Sequence, residues 1–356
     1  MTRLLVGFGL VGVAWLTIGS FRADFSGASS NPGTVRTTFQ QVERSIQLLA
    51  VGDVNLGRIV GQQILRGDTL FPFVFAVDTF ARRDIVFANL ESQLSDQGGE
   101  TQHPGNNLVF TGPPGGASSL RLAGVTVVST ANNHALDYGV RALKETIRYL
   151  RGAGIAYAGT AEDSMQLYVP VVVTRNDIRV ALFAVTDVMN IEDPMWKRHV
   201  AEADTGRLLP RVRAYRDSVD FIIISYHGGE EYADTPTRRT RDFADQVIRG
   251  GVDLFLGHHP HVPYGVEDVD GKYIVHSLGN FVFRQPDLYW TQRSFAFSAT
   301  LTKDSAGTRI VAFRCLPVLA GVQPAFADGV EAARIQERTE RLSSRTALTQ
   351  IAWQGH

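Results

Sequence analysis

Apolar runs of five to seven residues recur along the chain, and a polar cluster closes each one. SIQLLAV (45–51), DIVFA (84–88), VTVVST (125–130), DFIIIS (220–225) and VDLFLG (252–257) are unbroken enough to predict strands covered on both faces. YVPVVVTRNDIRVALFAV (168–185) predicts two strands joined by a turn at Arg175–Asp177, and KYIVHS (272–277) one more. Between the strands the period lengthens. VRALKETIRYLRGAG (140–154) sets Val140, Leu143, Ile147 and Leu150 on one helical face and stops at glycine. RRTRDFADQVIRGG (238–251) does the same with Phe243, Val247 and Ile248, and DGVEAARIQERTERLSSR (328–345) predicts a further amphipathic helix. No internal repeat is visible. Strand–helix alternation predicts an α/β fold in layers, with helices packed on a central sheet.

The N-terminus breaks this pattern. After Arg3 come eighteen residues without a charge, LLVGFGLVGVAWLTIGSF (4–21), close to the roughly 20 needed to cross a bilayer as a helix. A basic start before an apolar run reads as an export signal or membrane anchor, and the polar stretch behind it reads as a linker. The expected organisation is a signal peptide or anchor over 1–28, a linker over 29–45, one domain over 46–345 and a tail over 346–356. Arg3 on the near side predicts a cytoplasmic N-terminus, with the domain outside the cytoplasm and the N-terminal segment as its contact with the membrane.

Composition narrows the chemistry. The 356 residues are 44% hydrophobic and 20% charged, as a globular chain with a substantial core requires. Thirty-five basic and thirty-six acidic residues leave a net charge of −1, which gives no electrostatic case for nucleic acid. Cys315 is the single cysteine, so neither an internal disulfide nor a thiolate metal cluster is available.

The polar clusters then stand out. GDVNLGR carries Asp53, Asn55 and Arg58; NLES carries Asn89 and Glu91; ANNHALDYG carries Asn133, His134 and Asp137. YHGGEEY carries His227, Glu231 and Tyr232; HHPH carries His258, His259 and His261; LGNF carries Asn280. Each follows a predicted strand, and in layered α/β folds sites form at the carboxyl ends of strands. Taken singly, Asp53 serves equally well as a cap, Asn133 as a turn residue and His227 as a satisfied core histidine. Taken together, they supply carboxylate, amide and imidazole donors without thiols, a set suited to Mn, Fe or Zn. One or two such divalent ions favour attack of activated water on phosphorus or carbonyl centres.

The order of these motifs resembles that of calcineurin-like metallophosphatases. More closely, VGDVNLGR (51–58), ANLES (88–92), STANNHALDYG (129–139), HGGEEY (227–232), GHHPHV (257–262) and HSLGNFVF (276–283) resemble the CapA-type bacterial capsule (poly-γ-glutamate) synthesis proteins over roughly residues 46–345. That resemblance implies a metallophosphatase-like β-sandwich flanked by helices. It implies that Asp53 and His261 hold a first metal, with Asn55 where ordinary metallophosphatases carry a histidine ligand. It implies that Glu91 bridges, that Asn133, His227 and His259 hold a second metal, and that His134 stays unliganded as an acid–base group. Asp137 would fix the His134 tautomer or cap the following helix, with the cap favoured. Arg58, Asn89, Glu231, Tyr232 and Asn280 are expected to contact substrate. Gly228, where related chains carry tryptophan, is expected to leave the site more open. Two functions follow: a cell-surface metal-dependent hydrolase or transferase acting on a phosphoester or an anionic capsule polymer, or a non-catalytic accessory protein that binds or exports that polymer.

Overall fold

The computed structural model describes residues 44–344, together with Ala347 and Ile351–Ala352. The expected export segment over residues 4–21 lies outside the described residues. Among the described residues no helix is long and apolar enough to cross a membrane.

Two mixed sheets face each other. The first has nine strands, with Ala325–Phe326, Gly307–Leu319, Arg293–Asp304, Arg44–Val54, Ile85–Leu90, Val127–Ser129 and Ala156–Ala158 side by side in that order. The short strands Asn280–Val282 and Ile351–Ala352 join it beside Arg44–Val54 and Gly307–Leu319, so part of the expected tail pairs with the sheet. The second sheet has six strands, ordered Val266–Val269, Lys272–Val275, Leu254–His258, Phe221–His227, Ile178–Thr186 and Val171–Arg175. Its central pairs are parallel, as crossover helices require.

Alternation along each strand divides the core. In Arg44–Val54, Ile46, Leu48 and Ala50 point into the space between the sheets, where they meet Ile223, Leu254 and Leu256. Leu49 and Val51 point the other way, into a cluster with Val60, Ile64, Leu120 and Leu150 from the helices Arg58–Leu65, Gly115–Ala123 and Gly139–Ala153. In Phe221–His227, Ile222, Ile224 and Tyr226 pack beneath the helices Thr205–Arg216 and Arg238–Arg249. The period of two thus builds helices, sheet, sheet and helices, the layered sandwich expected from the unbroken apolar strands.

Most predicted elements lie where the pattern put them. The hairpin at 175–178 turns through Asn176 and Asp177, both with positive φ, the geometry of a type I′ turn. The helix Gly139–Ala153 buries Leu143, Ile147 and Leu150, but Val140 is 36% exposed, and Ala142 and Thr146 complete its face instead.

Candidate metal centre

Strand register gathers the polar clusters. Asp53 pairs in register with Asn89 on one side and Asn280 on the other. His227 stands opposite His258 across the second sheet's central pair. Glu91 follows the strand Ile85–Leu90, and Asn132, Asn133 and His134 follow Val127–Ser129. Two glycines permit the close approach of the loops. A Cβ at Gly52 would meet the Gly279 carbonyl oxygen at 1.8 Å, and one at Gly257 the His276 carbonyl oxygen at 2.0 Å. Of the seven non-glycine residues with positive φ among those described, four line the centre: Arg58, Tyr232, His259 and His261. The other three sit in hairpin turns. Such local strain persists where the surrounding structure enforces it.

The donors form three overlapping groups: Asp53 with Glu91 and His261, Glu91 with His227 and His259, and Glu231 with His259 and His261. Within each group the donor atoms lie within 4.8 Å of one another. Glu91 belongs to two groups. Its Oε1 is buried and, among the described residues, accepts no hydrogen bond. The Nε2 atoms of His134, His227 and His261 stand 3.9, 3.9 and 3.7 Å from it. Those separations are too long for hydrogen bonds. They are near the spacing of about 3.4 Å that donors keep around a tetrahedral ion at about 2.1 Å. Asp53 and Glu91 are wholly buried, and among the described residues their ion pairs are with histidines alone. Buried carboxylates without a cation cost several kcal/mol each. The residues present therefore fit one or two divalent ions, with an O/N donor set that suits Mn, Fe or Zn.

Burial raises the Glu91 carboxyl well above its usual range, and the charges of Asp53, Glu231 and Asp137 add to the rise. Asp53 goes the other way. Burial opposes its charged form, but hydrogen bonds and charges from His258 and His261 hold it well below the usual range. Burial also pushes His227 down, and brings His259, beside His261, down to about 3. Neutral imidazoles keep a lone pair free for a metal.

A second layer fixes these donors. Asn89 Nδ2 lies 2.9 Å from Asp53 Oδ1, 3.2 Å from Glu91 Oε2 and 3.2 Å from His227 Nδ1. Asn280 Oδ1 accepts from His261 Nδ1 at 2.9 Å, which turns His261 Nε2 toward Glu91. Asn89 and Asn280 are both fully buried. They brace ligands, and the expectation that they touch substrate is corrected accordingly. Asn132, passed over in the sequence, donates to Asn89 Oδ1 and to the Leu90 carbonyl oxygen. His258, seen in its motif but given no role, holds Asp53 Oδ1 through Nδ1 at 3.0 Å. Asn133 Oδ1 faces His227 Nε2 at 2.9 Å, and its Nδ2 donates to Asn190 Oδ1 at 3.1 Å. Asn190 sits in the loop after Ile178–Thr186, with no strand-end signal to mark it.

His134 stands at the edge. Its Nδ1 lies 2.9 Å from Asp137 Oδ2, and its Nε2 looks toward Glu91. Asp137 does not cap the next helix. That helix starts after Tyr138 without a side-chain cap, and Asp137 Oδ2 also accepts from the Phe110 amide. Its carboxylate is spent on the imidazole. Phe110 packs on the His134 ring at 4.2 Å, and Phe283 on His261 at 4.9 Å. The Arg58 guanidinium lies 4.5 Å from the Phe110 ring and 5.6 Å from Phe283. The guanidinium donates to the Asn107 carbonyl oxygen, and among the described residues its buried Nε has no partner. Arg58 and Tyr232 also line a cleft of about 550 Å³ with Arg284, Leu108 and Leu288.

One expected ligand and one expected substrate contact stand differently from the rest. Asn55 Oδ1 accepts from the Gly57 amide at 2.7 Å, so one of its two lone pairs is used in a local turn. Glu231, expected at the substrate, lies among the metal-competent groups. Gly228 does not open the site. A Cβ there would meet the Tyr226 hydroxyl at 2.7 Å and Asp187 Cβ at 2.8 Å, so the space is already filled.

Comparisons with known proteins agree on a relationship. A family model described as bacterial capsule synthesis protein PGA_cap matches residues 47–285. The chain is 27% identical over 319 residues to the capsule biosynthesis protein CapA of Bacillus anthracis, covering 85% of this chain and 75% of that one. It is 30% identical over 265 residues to the PGA biosynthesis protein CapA of Bacillus subtilis, covering 72% of this chain and 65% of that one. Among solved structures it is similar to the calcineurin-like phosphoesterase YfkN from Bacillus subtilis, with a TM-score of 0.47 and 13% identity, over 84% of this chain and 95% of that one.

Proposed function

The chain belongs to the bacterial capsule synthesis protein PGA_cap family, and from that membership and its buried donor cluster we propose that it is a metal-dependent hydrolase or transferase of capsule biosynthesis. It acts outside the cytoplasm, at the cell surface, on a phosphoester or on an acyl or amide link of an anionic polymer such as poly-γ-glutamate. The observation that carries the reading is Glu91 Oε1, a buried carboxylate oxygen with no hydrogen bond and three imidazole nitrogens 3.7–3.9 Å away. A purely structural surface domain has no use for such an atom.

Asp53, Glu91 and His261 would hold one divalent ion, and Glu91, Asn133, His227 and His259 another. When bound, such ions supply Lewis-acid polarisation and water of lowered pKa. The chain's own residues do the rest. Asp137 orients His134 through Nδ1, which leaves Nε2 facing the centre to give or take a proton. Arg58, with unused donors and its guanidinium on two aromatic rings, grips an anionic group of the substrate at the cleft. Phe110 and Phe283 keep water away from the His134 and His261 rings.

A second reading, a non-catalytic protein that holds or exports capsule polymer, draws on Asn55. It stands where a histidine ligand is expected, and its amide oxygen, already accepting from Gly57, would be a weaker donor than imidazole at the first ion position. The test is a screen of phosphomonoesters, phosphodiesters and γ-glutamyl polymers with added Mn²⁺, Fe²⁺ or Zn²⁺. Metal-dependent cleavage that disappears in Asp53→Asn supports the enzyme. Polymer binding that survives chelator, with no cleavage of any substrate, supports the accessory reading.

A further inference from the structure

We propose that Glu231 is a metal ligand that closes the centre from its solvent side. The inference rests on the metal-dependent reading above and deepens it.

The first ion position has three donors: Asp53, Glu91 and His261. Structural zinc sites use four protein donors and catalytic ones three with water, whereas octahedral ions such as Mn²⁺ take six, so three donors leave room for a further oxygen. Asn55 is the neighbour best placed in sequence to add one, but its Oδ1 already accepts from the Gly57 amide at 2.7 Å and keeps only one lone pair of a neutral donor. Glu231 offers the missing oxygen. Its carboxylate groups within 4.8 Å with nitrogens of His259 and His261. Those two imidazoles belong to different ion positions, His261 with Asp53 and His259 with His227. Glu231 therefore reaches one imidazole of each position from outside, as Glu91 reaches both positions from the buried side.

The backbone holds it there. Tyr232 follows with φ of 62°, and its amide donates to the Pro260 carbonyl oxygen at 2.9 Å, which pins this loop to the His259–His261 turn. The Tyr232 ring stacks near His261 at 6.1 Å, and its hydroxyl accepts from Gln285. A flexible carboxylate on a fixed loop can close the remaining distance without moving the backbone. The Tyr232 hydroxyl hydrogen-bonds the Glu231 carboxylate, and the Glu231 charge lies close enough to add to the rise of the Glu91 carboxyl, so without an ion the two carboxylates repel. As a ligand Glu231 adds charge to match two divalent ions. Because Glu231 is exposed where Glu91 is not, it is also the ligand that an incoming anion can displace.

The experiment uses the full chain, stripped of metal and titrated with Co²⁺, read by visible absorption and by calorimetry. Glu231→Gln keeps the size and removes the charge. Glu230→Gln, its exposed neighbour, controls for the general field of the loop. The expected result is Co²⁺ binding at least about tenfold weaker in Glu231→Gln, with lower d–d absorption at saturation, and wild-type behaviour in Glu230→Gln. Wild-type affinity and spectrum in Glu231→Gln would overturn the inference and leave the metal reading standing. Equal weakening in both variants would also overturn it, since a general field would explain the loss. Failure of the wild-type chain to bind Co²⁺ would overturn the metal reading, and this inference with it.

Discussion

Glu91→Gln exposes the logic of the centre, because its effect should change sign with metal. Without metal, the wild-type fold buries Glu91 completely beside Asp53, with Oε1 unpartnered. Glutamine has the same shape and no charge. Its oxygen can still accept from Asn89 Nδ2, which lies 3.2 Å from Glu91 Oε2. Its amide group can donate toward His261 Nε2, which stands 3.7 Å from Glu91 Oε1 and keeps its lone pair because Nδ1 donates to Asn280. Replacing a buried, poorly compensated ion by a neutral group is worth about 1–4 kcal/mol, or roughly 2–6 °C in Tm for a domain of this size. The sign with pH follows from the raised Glu91 pKa. The protonated acid is tolerated, so whatever this group contributes to the metal-free fold is present at low pH and lost as pH rises through the folded pKa. The advantage of glutamine should therefore be small near pH 5 and grow toward pH 8. Adding metal reverses the order, since an ion at 100 times its dissociation constant stabilises the wild type by about 2.7 kcal/mol. Differential scanning calorimetry in EDTA and in Mn²⁺, at both pH values, reads all four corners. A variant less stable than wild type in EDTA at pH 8 would show that Glu91 is already satisfied and is not waiting for an ion.

Four shorter predictions follow from the same geometry. His134→Ala should lower turnover by about 10²–10⁴ on any substrate the parent cleaves and leave metal content near normal, checked by kinetics and elemental analysis of the same samples. Asn190→Leu removes the acceptor that turns the Asn133 oxygen inward, and should weaken metal binding by about tenfold while Asn190→Asp retains it, measured by calorimetry. Asn55→His adds an imidazole next to the first ion position and should raise metal content above the parent's, read by elemental analysis. Gly228→Ala places a methyl within 2.8 Å of the Tyr226 hydroxyl and Asp187 and should cost about 1–3 kcal/mol of stability, read by urea unfolding.

Much of the site was legible because chemistry here is written at strand ends. Asp53, Glu91, Asn133, His227, His259 and His261 each follow an apolar run, and parallel register then forces them together. What the sequence does not say is which way a polar side chain turns. Asn89 and Asn280 look like substrate contacts in the chain. Yet pairing with Asp53 from opposite sides buries both and makes them braces. His258 and His259 are adjacent, and only the backbone at His259, with φ of 94°, decides that one grips Asp53 and the other faces His227. Asn190 carries no signal at all, since its partner Asn133 lies far away in sequence. In the fold, the apolar parallel strands were readable, but the long hairpin of Arg293–Asp304 and Gly307–Leu319 was not. Its inward Phe295, Phe297, Ala299 and Leu301 alternate with serine, threonine and alanine, a weaker contrast than an unbroken valine and isoleucine run.

The central claim is that Asp53, Glu91 and their histidines exist to hold metal. Elemental analysis tests it most directly, on the full chain supplied with Mn²⁺, Fe²⁺ or Zn²⁺ and then freed of loose ions by gel filtration. The account predicts about one tightly held ion per chain, a second held more weakly, and loss of both in the Asp53→Asn, Glu91→Gln double variant. A wild-type chain that emerges folded and without metal from all three would contradict it.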